Sequence, residues 1–498
     1  MEAYRDWGIK IYTVLVLAGL PLFFWNGYED ILQAKAVFFW FAAVSGGIFF
    51  AVYFFWWLLA GKNKKASVAA FFKGFNVLDI CVAAFGIIAF ISALSSEYRT
   101  ESIVGNEAWY VGGGMILVCV LLYFFVSRGK GNDKTYVYAI FFAAVIVMII
   151  GILNDLWIDP LGISEDVDYF WRNTFTSTIG NVNQFGAYLS IVIPFMSLAF
   201  VCVKKMVFKV FAACVLIPCY MALFLTHADG MYAGVGIGML FVFFFSLRES
   251  KRYLSFLING VMFGIAGYAV VLLLQIFPDT YLETISPVLL ANNVHLFVGA
   301  VSFVLILVHM FLELKVKRAT LDKILRVFSW ILLIAMAAGV VFAVVYVVKF
   351  YDETMLNNRG VLWKIALNVF SDFDTKEKLI GMGPATIDHG AVDYAFWIEE
   401  YYDYGKYYHI ETAHNDVLEY LVTTGICGVA SYIMIFLCVF ASFIRGVFGK
   451  IRWGDERTVL FVGIMGYSAQ ALLYGPHPVT WAVLMILLSL FRRTQFAV

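Results

Sequence analysis

The stretch TAHNDVLEYLVTTGICGVASYIMIFLCVFASFI, residues 412–444, runs from a polar segment into an apolar segment long enough to cross a bilayer. A membrane-crossing helix needs roughly 20 consecutive, mostly apolar residues. Asp416, with Glu419 three residues later, resembles a capping box, which predicts that a helix begins there. A cap does not explain His414, and a proton-transfer group at the boundary between water and membrane is expensive to keep without a chemical role. The stretch therefore predicts a membrane helix with a candidate catalytic group at its entrance.

Apolar segments of this kind recur along the whole chain, which is 62% hydrophobic and only 14% charged. A soluble protein of 498 residues could not bury so much apolar surface. We predict an all-α, polytopic membrane protein whose residues 1–498 form a single membrane domain with about fourteen transmembrane helices. The predicted spans lie near 9–26, 34–59, 77–95, 110–126, 135–157, 184–203, 206–226, 231–247, 254–276, 291–313, 327–348, 416–444, 457–474 and 478–491.

The basic residues predict the orientation of these spans. Most of the 35 Lys and Arg side chains fall near the two termini or in alternate connections between predicted spans. The positive-inside rule assigns those connections to the cytoplasm. Both termini are then expected to be cytoplasmic, and the charges favour an even number of spans.

Two long connections are left for the other side of the membrane, residues 158–183 and the larger residues 349–415. Within the larger one, RGVLWKIALNVF (359–370) places apolar residues at helical spacing, which predicts an amphipathic helix on the outer membrane surface. Arg359 and Lys364 belong to this helix, and Arg172 belongs to the other connection. These cations could anchor lipid headgroups, or they could bind a pyrophosphate, for which arginine has a planar bidentate fork.

Acidic residues in the same connections offer an alternative chemistry. The triplets Asp166–Asp168 and Asp372–Asp374 have the spacing of carboxylate pairs that hold a divalent metal, although such short triplets are common in acidic loops. Asp229 precedes a glycine between two predicted spans, so it either forms a tight turn or faces the site as a buried charge. Gly381 to Pro384 predicts a turn, and His477 lies in a proline-rich connector without a recognisable motif.

Several segments together resemble the O-antigen ligase and polymerase family of bacterial membrane glycosyltransferases. The segment 178–195 resembles the family's Gly-Asn-Pro-Asn motif, with Asn181 and Asn183 in the asparagine positions. The segments 358–367 and 379–387 resemble its Arg-x-x-x-Trp helix, here Arg359 and Trp363, and its Gly-x-Gly-Pro turn. The segment 413–429 resembles its His-Asn-Asp-Tyr motif, and residues 95–113 loosely resemble its first outer loop. Their order and spacing carry the resemblance over about residues 95–445.

The resemblance implies a GT-C-like helical fold, an undecaprenyl-pyrophosphate-linked glycan donor and no metal or other cofactor. It implies that His414 is the catalytic base, that Arg359 binds the donor pyrophosphate and that Asn415, Asp416 and Glu419 orient the motif. The expected acceptor is a glycan, a lipid or a wall polymer, and no nucleic acid is expected. The protein would lie in a bacterial plasma membrane with its active site outside the cytoplasm.

Three positions depart from the family pattern. Thr412 stands where a histidine is common, Val182 replaces the proline, and Ala228-Asp229-Gly230 stands where the family has Ser-Arg-Gly. The last change removes a second phosphate-binding arginine, which Arg172 or Lys364 would have to replace.

Two other functions remain open on the sequence. One is a metal-dependent GT-C glycosyltransferase that uses an Asp-x-Asp pair, and the other is a polysaccharide or lipid-glycan transporter. Transporters usually carry internal repeats and polar groups near the middle of their spans. Here the spans are nearly free of charge and the polar groups gather on one face, which favours an enzyme. The sequence does not separate a polymerase from a ligase, nor does it indicate the sugar or the linkage.

Overall fold

The computed structural model describes residues 1–60, 74–107, 109–129, 134–165, 167–168, 174–226, 228–277, 287–353, 355–395, 410–449 and 453–494. These residues are almost entirely helical. The helices are α1 (Glu2–Val14), α2 (Leu20–Leu22), α3 (Ile31–Ala60), α4 (Val77–Ser95), α5 (Arg99–Val104), α6 (Gly113–Ser127), α7 (Thr135–Asp155), α8 (Val182–Cys202), α9 (Met206–Leu225), α10 (Asp229–Ser246), α11 (Ser250–Ile276), α12 (Pro287–Ala291), α13 (Val294–Lys315), α14 (Arg318–Lys349), α15 (Met355–Asp372), α16 (Thr375–Ile380), α17 (Ile387–Ala395), α18 (Asp416–Val447), α19 (Asp455–Gln470) and α20 (Pro478–Arg493). A π-helical turn (Leu15–Gly19) joins α1 to α2, and two short strands, β1 (Phe175–Thr176) and β2 (Gly180–Asn181), pair antiparallel.

Nine of the helices in the described part of the chain are long and apolar enough to cross a membrane, and α6 and α10 are shorter apolar helices. The prediction of an all-α, polytopic membrane protein is therefore confirmed. Each of the fourteen predicted spans overlaps a helix, but the number of helices that cross the bilayer stays a prediction. Most side chains in the later turns of α14 are exposed, as in a helix that faces lipid.

Of the nine candidate membrane spans in the described residues, α8 is the most enclosed, and it packs between α10 and α19. Gly234 of α10 and Gly466 of α19 face Ser190 of α8, and a Cβ at either glycine would collide with that serine. Small residues at such contacts let membrane helices approach closely and pack without apolar driving force. The close packing of α8 brings its first residues beside the connection between α19 and α20, where Gln184 Nε2 donates to the Gly475 carbonyl at 3.3 Å.

We call the end of the helix bundle that carries connections 158–183 and 349–415 the loop end. At the opposite end, α4 begins with a capping box between Asn76 and Asp79. The same carboxylate is fully buried and binds Arg492 of α20 at 2.8 Å. The Tyr123 hydroxyl donates to its other oxygen at 2.9 Å.

The amphipathic helix predicted over residues 359–370 is present as part of α15. Its apolar side chains Leu362, Ile365 and Val369 are buried. They pack against residues of the same connection and against Val422 of α18, rather than lying open toward lipid. A separate small protein core therefore covers this apolar face, and the place of the helix on the outer membrane surface stays a prediction.

The helix α18 is divided at Gly425, whose backbone adopts φ 66° and ψ −173°. The Asp416 carboxylate accepts a hydrogen bond from the Tyr432 hydroxyl at 2.6 Å, although sixteen residues of straight helix would separate them by roughly 24 Å. Residues 416–424 and 426–447 therefore fold back on each other. The predicted span 416–444 is thus a short segment, a sharp turn at the loop end and a longer helix.

The sharp turn frees backbone carbonyls that an unbroken helix would use. The Val422 carbonyl accepts from the Met382 N–H at 3.2 Å, and the Thr423 carbonyl accepts from the Gly383 N–H at 3.0 Å. The predicted turn at residues 381–384 is therefore the contact that docks the long connection onto α18. Gly381, at φ 72°, lies so close to the Thr423 backbone that a Cβ would collide with it.

Candidate functional site

The start of α18 is capped by Asn415, and not by Asp416 as the sequence suggested. The Asn415 Oδ1 accepts from the N–H groups of Val417 at 2.9 Å and Leu418 at 3.2 Å. These bonds satisfy donors that have no partner inside the helix. The Asp416 and Glu419 carboxylates are thereby released for other contacts.

Glu419 holds the segment that precedes His414. Its Oε2 accepts from the Ala413 N–H at 2.8 Å and from the Thr412 hydroxyl at 3.0 Å. The Thr412 Oγ1 in turn accepts from the His414 N–H at 3.2 Å. His414 is held in the left-handed region at φ 47°, a conformation that costs free energy and persists only where surrounding contacts impose it.

Asp416 anchors the short segment of α18 to the rest of the bundle. It is 1% exposed, and its Oδ2 accepts from the hydroxyls of Tyr432 at 2.6 Å and Tyr467 at 3.1 Å. Its backbone N–H donates to the Ala471 carbonyl at 2.7 Å. Asp416 therefore fixes the position of the motif. The sequence did not predict the two tyrosines, because they lie within apolar helices that contain many other aromatic residues.

Arg359, near the beginning of α15, is only 7% exposed. Its guanidinium carbon lies 4.9 Å from the centre of the Tyr474 ring, and its Nη1 has no hydrogen-bond partner among the described residues. Within that part of the chain Arg359 forms no ion pair. The site thus contains a buried cation whose only described contact is an aromatic face.

Arg359 lies close enough to His414 to act on its charge. Burial lowers the pKa of the half-buried His414 to about 4, and the nearby positive charge of Arg359 adds to that effect. The His414 Nδ1 is buried and has no hydrogen-bond partner among the described residues. An uncharged imidazole therefore lies within electrostatic reach of a guanidinium that has no ion pair among the described residues, which suits a proton acceptor near an anion-binding group.

Tyr474 also borders the place where the family arginine is missing. Gly230 packs directly against Leu473 and Tyr474, so the Asp229-Gly230 pair at the start of α10 adjoins the Arg359 stack. The side chain of Asp229 lies outside the described residues, as do Arg172 and Asp166. Tyr474 was missed by sequence reasoning, and its place in the connector before His477 was the one available signal.

Among the other predicted site residues, Lys364, Asn181 and Asn183 have local partners. The Lys364 ammonium forms an ion pair with Glu353 at 2.6 Å, so its charge is already neutralised. Asn181 caps α8 by accepting from the Asn183 N–H at 2.8 Å. The Trp363 Nε1 is buried without a hydrogen-bond partner among the described residues.

The carboxylates suggest one possible metal site, at a place the sequence did not indicate. One ligand atom each from Glu101, Asp388 and His389 lies within 4.8 Å of the other two. His389 also binds Glu101 at 2.8 Å and stacks on the Tyr98 ring at 3.6 Å between centroids. Of the predicted Asp-x-Asp pairs, Asp374 serves as the cap of α16, accepting from the Glu377 N–H at 2.7 Å.

Comparison with known families agrees with this arrangement. Residues 288–433 match the model of a family described as O-antigen ligase, and this range contains both Arg359 and His414. A comparison with curated proteins gave no match. The resemblance predicted from the sequence motifs is confirmed over this range. Over residues 288–433, therefore, the protein is similar to the O-antigen ligase family.

Proposed function

We propose that this protein is a membrane glycosyltransferase that transfers a glycan from an undecaprenyl-pyrophosphate donor to a sugar hydroxyl. The observation that carries the proposal is the buried Arg359, which has no ion pair among the described residues, near the neutral His414. The match to the O-antigen ligase family supports a glycan-processing enzyme.

Arg359 would bind the donor pyrophosphate. A buried cation without a counter-ion costs several kcal/mol, so an anionic ligand that neutralises it gains affinity from relieving that cost. Arginine suits this role because two parallel N–H groups can bind two phosphate oxygens. The apolar helices around the site would hold the lipid tail of the donor.

His414 would accept the proton of the acceptor hydroxyl. In the proposed step, the acceptor oxygen forms a bond to the anomeric carbon of the donor sugar with inversion, and the bond between that carbon and the pyrophosphate oxygen breaks. The electron pair leaves with undecaprenyl pyrophosphate, whose developing charge Arg359 stabilises. The proton moves to His414 and later to solvent. As proposed, this step takes place within a GT-C-like fold and needs no metal.

The charge of Arg359 would also order the two substrates. Before the donor binds, that charge lowers the pKa of His414 and makes it a weak base. A bound pyrophosphate neutralises the guanidinium, so the pKa of His414 rises when the donor is in place. Burial remains the larger cause of the low pKa, and the base becomes stronger when a donor is bound.

Turnover tests the proposal. Purified protein in lipid nanodiscs, given a synthetic undecaprenyl-pyrophosphate glycan and an acceptor glycan, should release undecaprenyl pyrophosphate and form a new glycosidic bond. Movement of the intact donor across a liposome membrane without bond formation would instead indicate a transporter. In cells that lack the protein, a ladder reduced to single repeats indicates a polymerase, and accumulated long lipid-linked chains indicate a ligase.

The orientation is part of the proposal, with both termini in the cytoplasm and the loop end outside. Lys376, in the large connection, and Lys205, between α8 and α9, are both exposed and suit cysteine labelling. In intact cells, an impermeant thiol reagent should label Lys376→Cys and leave Lys205→Cys unlabelled. The reverse pattern would contradict the orientation.

The metal-dependent glycosyltransferase remains the second candidate, because Glu101, Asp388 and His389 have the composition and spacing of a divalent cation site. Loss of turnover in EDTA, with recovery in Mg²⁺ or Mn²⁺, would favour it.

A further inference from the structure

Two arginines come near each other at the end of the bundle opposite the loop end. Arg248 follows α10, and Arg326 lies near the start of α14. Each comes directly after a leucine, Leu247 or Leu325, and the two leucines are buried in one small cluster of side chains. We propose that these two residues, the arginine pair, bind the phosphate group of an anionic phospholipid. This site is separate from the proposed reaction and does not depend on it.

The arginine pair brings two positive charges together. Partial burial, and then the positive charge of Arg326, lower the pKa of Arg248. The guanidinium of Arg248 lies over the Phe244 ring, 4.9 Å from its centre, and the side chain is partly exposed. Arg326 is exposed. Neither arginine forms an ion pair with any described residue. Like charges held near each other repel, and an anion bound between them would remove that repulsion.

The acidic residues closest to the arginine pair in sequence have other partners. Asp322, one helical turn before Arg326, accepts from the Ser250 N–H at 2.8 Å. Glu249, the residue after the first arginine of the pair, forms its ion pair with Arg252 at 3.3 Å. The chain thus places a carboxylate near each member of the pair in sequence and uses both carboxylates elsewhere. The anion that neutralises the pair is therefore expected to come from outside the described part of the chain.

The surface next to the arginine pair is apolar and exposed. Val327 and Phe328, which follow Arg326 directly, are both more than half exposed. One turn further along α14, the exposed Trp330 ring lies 5.7 Å from the ring of Phe448, which follows α18. Tryptophan is enriched at the level of lipid headgroups, where one side of the ring is apolar and the other is wet. A phosphate on the arginine pair would therefore have apolar side chains beside it for the acyl chains of a lipid.

This apolar surface favours a phospholipid over a free anion. A free phosphate would gain only the attraction of two partly exposed charges, which salt screens, whereas a phospholipid also buries its chains. The site lies where α14 is attached to the bundle, because the fully buried residues of that helix, Leu321, Leu325 and Ser329, all belong to its first half. A headgroup bound to both arginines would therefore join the start of α14 to the end of α10.

Native mass spectrometry of the purified full-length protein tests the proposal, with dioleoylphosphatidylglycerol as the anionic probe and dioleoylphosphatidylcholine as the zwitterionic one. The wild type should bind the anionic lipid more tightly. The double variant Arg248→Gln/Arg326→Gln should weaken that binding on the order of tenfold or more. The matched control Lys315→Gln/Lys317→Gln, which removes equal charge from exposed lysines at the same end, should leave it nearly unchanged. Equal weakening in both double variants, unchanged binding in the arginine variant, or displacement of the lipid by inorganic phosphate would each overturn the proposal.

A charge reversal at the exposed member of the pair tests the site even if loss of Arg248 harms folding. Arg326→Glu places a carboxylate near Arg248, where the lipid phosphate would otherwise bind. The variant should lose the preference for phosphatidylglycerol over phosphatidylcholine. Its thermal unfolding temperature in phosphatidylcholine should stay unchanged or rise, because attraction replaces the repulsion between two cations. A retained preference for phosphatidylglycerol, or a lower unfolding temperature, would contradict the assignment of this site.

Discussion

Two buried arginines lie at opposite ends of this helix bundle, and their surroundings differ. Arg492 is fully buried and pairs with Asp79, which also accepts from the Tyr123 hydroxyl. Arg359 is 7% exposed, stacks on Tyr474 and has no ion pair among the described residues. At the loop end the carboxylates of Asp416 and Glu419 are instead bonded to tyrosine and threonine hydroxyls.

This difference separates a structural cluster from a binding site. The chain supplies a counter-ion for Arg492, so that cation completes the packing of α4 and α20. The described part of the chain supplies none for Arg359, although carboxylates are close by and could have been placed against it. A buried charge left open in this way indicates a ligand that brings the opposite charge.

The largest expected effect is that of substituting His414, the histidine near Arg359. His414→Ala should lower turnover on the order of 10²–10⁴-fold, the usual contribution of a general base. Donor binding should survive, because the donor charge is bound by Arg359. Single-turnover kinetics and donor binding on the same preparation check both statements, and His295→Ala is a control at a histidine of α13 outside the site. A His414→Ala enzyme with normal turnover would exclude this residue as the base.

Exchanging each arginine for methionine tests the comparison itself. Arg359→Met should lower donor use on the order of 10²–10³-fold while thermal stability stays unchanged or rises, because the variant removes an unpaired buried cation. Arg359→Lys should recover only part of the activity, since an ammonium lacks the bidentate fork.

Arg492→Met should show the opposite pattern. It leaves the buried Asp79 with only the longer contact to Arg128, at 3.5 Å, so the free energy of unfolding should fall by up to about 3–5 kcal/mol. Thermal denaturation in detergent and steady-state kinetics measure both variants. Equal loss of stability in the two would show that Arg359 is also a structural residue.

The pH dependence tests the coupling between Arg359 and His414. His414 must be uncharged to accept a proton, so activity falls as the pH drops below its pKa. The acid limb of kcat/KM reports the free enzyme and should lie near pH 4. With donor bound, the acid limb of kcat should lie at higher pH, because the pyrophosphate neutralises the cation that lowers the pKa. If the acid limbs of kcat and kcat/KM coincide, the charge of the bound donor does not change the pKa of His414.

The smallest expected effect concerns the carboxylates that could bind a metal. Full turnover should persist in EDTA, and Glu101→Gln and Asp372→Ala should be close to wild type. Turnover of the lipid-linked donor in nanodiscs measures all three. A strong loss in Glu101→Gln that Mn²⁺ reverses in the wild type would move the chemistry to the cluster of Glu101, Asp388 and His389.

Much of the fold was predictable, because apolar segments near the length of a bilayer are a strong signal. The division of α18 was not, since the apolar pattern continues through Gly425 and only the fold-back contact with Tyr432 reveals it. Hydropathy measures how apolar a segment is, and it contains no information on where the backbone reverses.

The site was predictable in part. The motif resemblance indicated His414 and Arg359, and Arg359 lies close enough to His414 to act on its charge. It did not indicate Tyr474, which lies in the short connection between α19 and α20. It also did not indicate that Asn415, rather than Asp416, caps α18. Both residue types can cap a helix, and the choice depends on the distant hydroxyls of Tyr432 and Tyr467 that bind Asp416.

The docking of the large connection onto α18 has a consequence for how this protein can change over generations. The two hydrogen bonds that join residues 382 and 383 to α18 use backbone atoms only. Besides the glycines that permit the close approach, they demand no particular side chain. Residues around this turn can therefore be replaced while the relative positions of His414 and Arg359 are kept. Such a joint lets an enzyme adopt new glycan preferences without rebuilding its reaction centre.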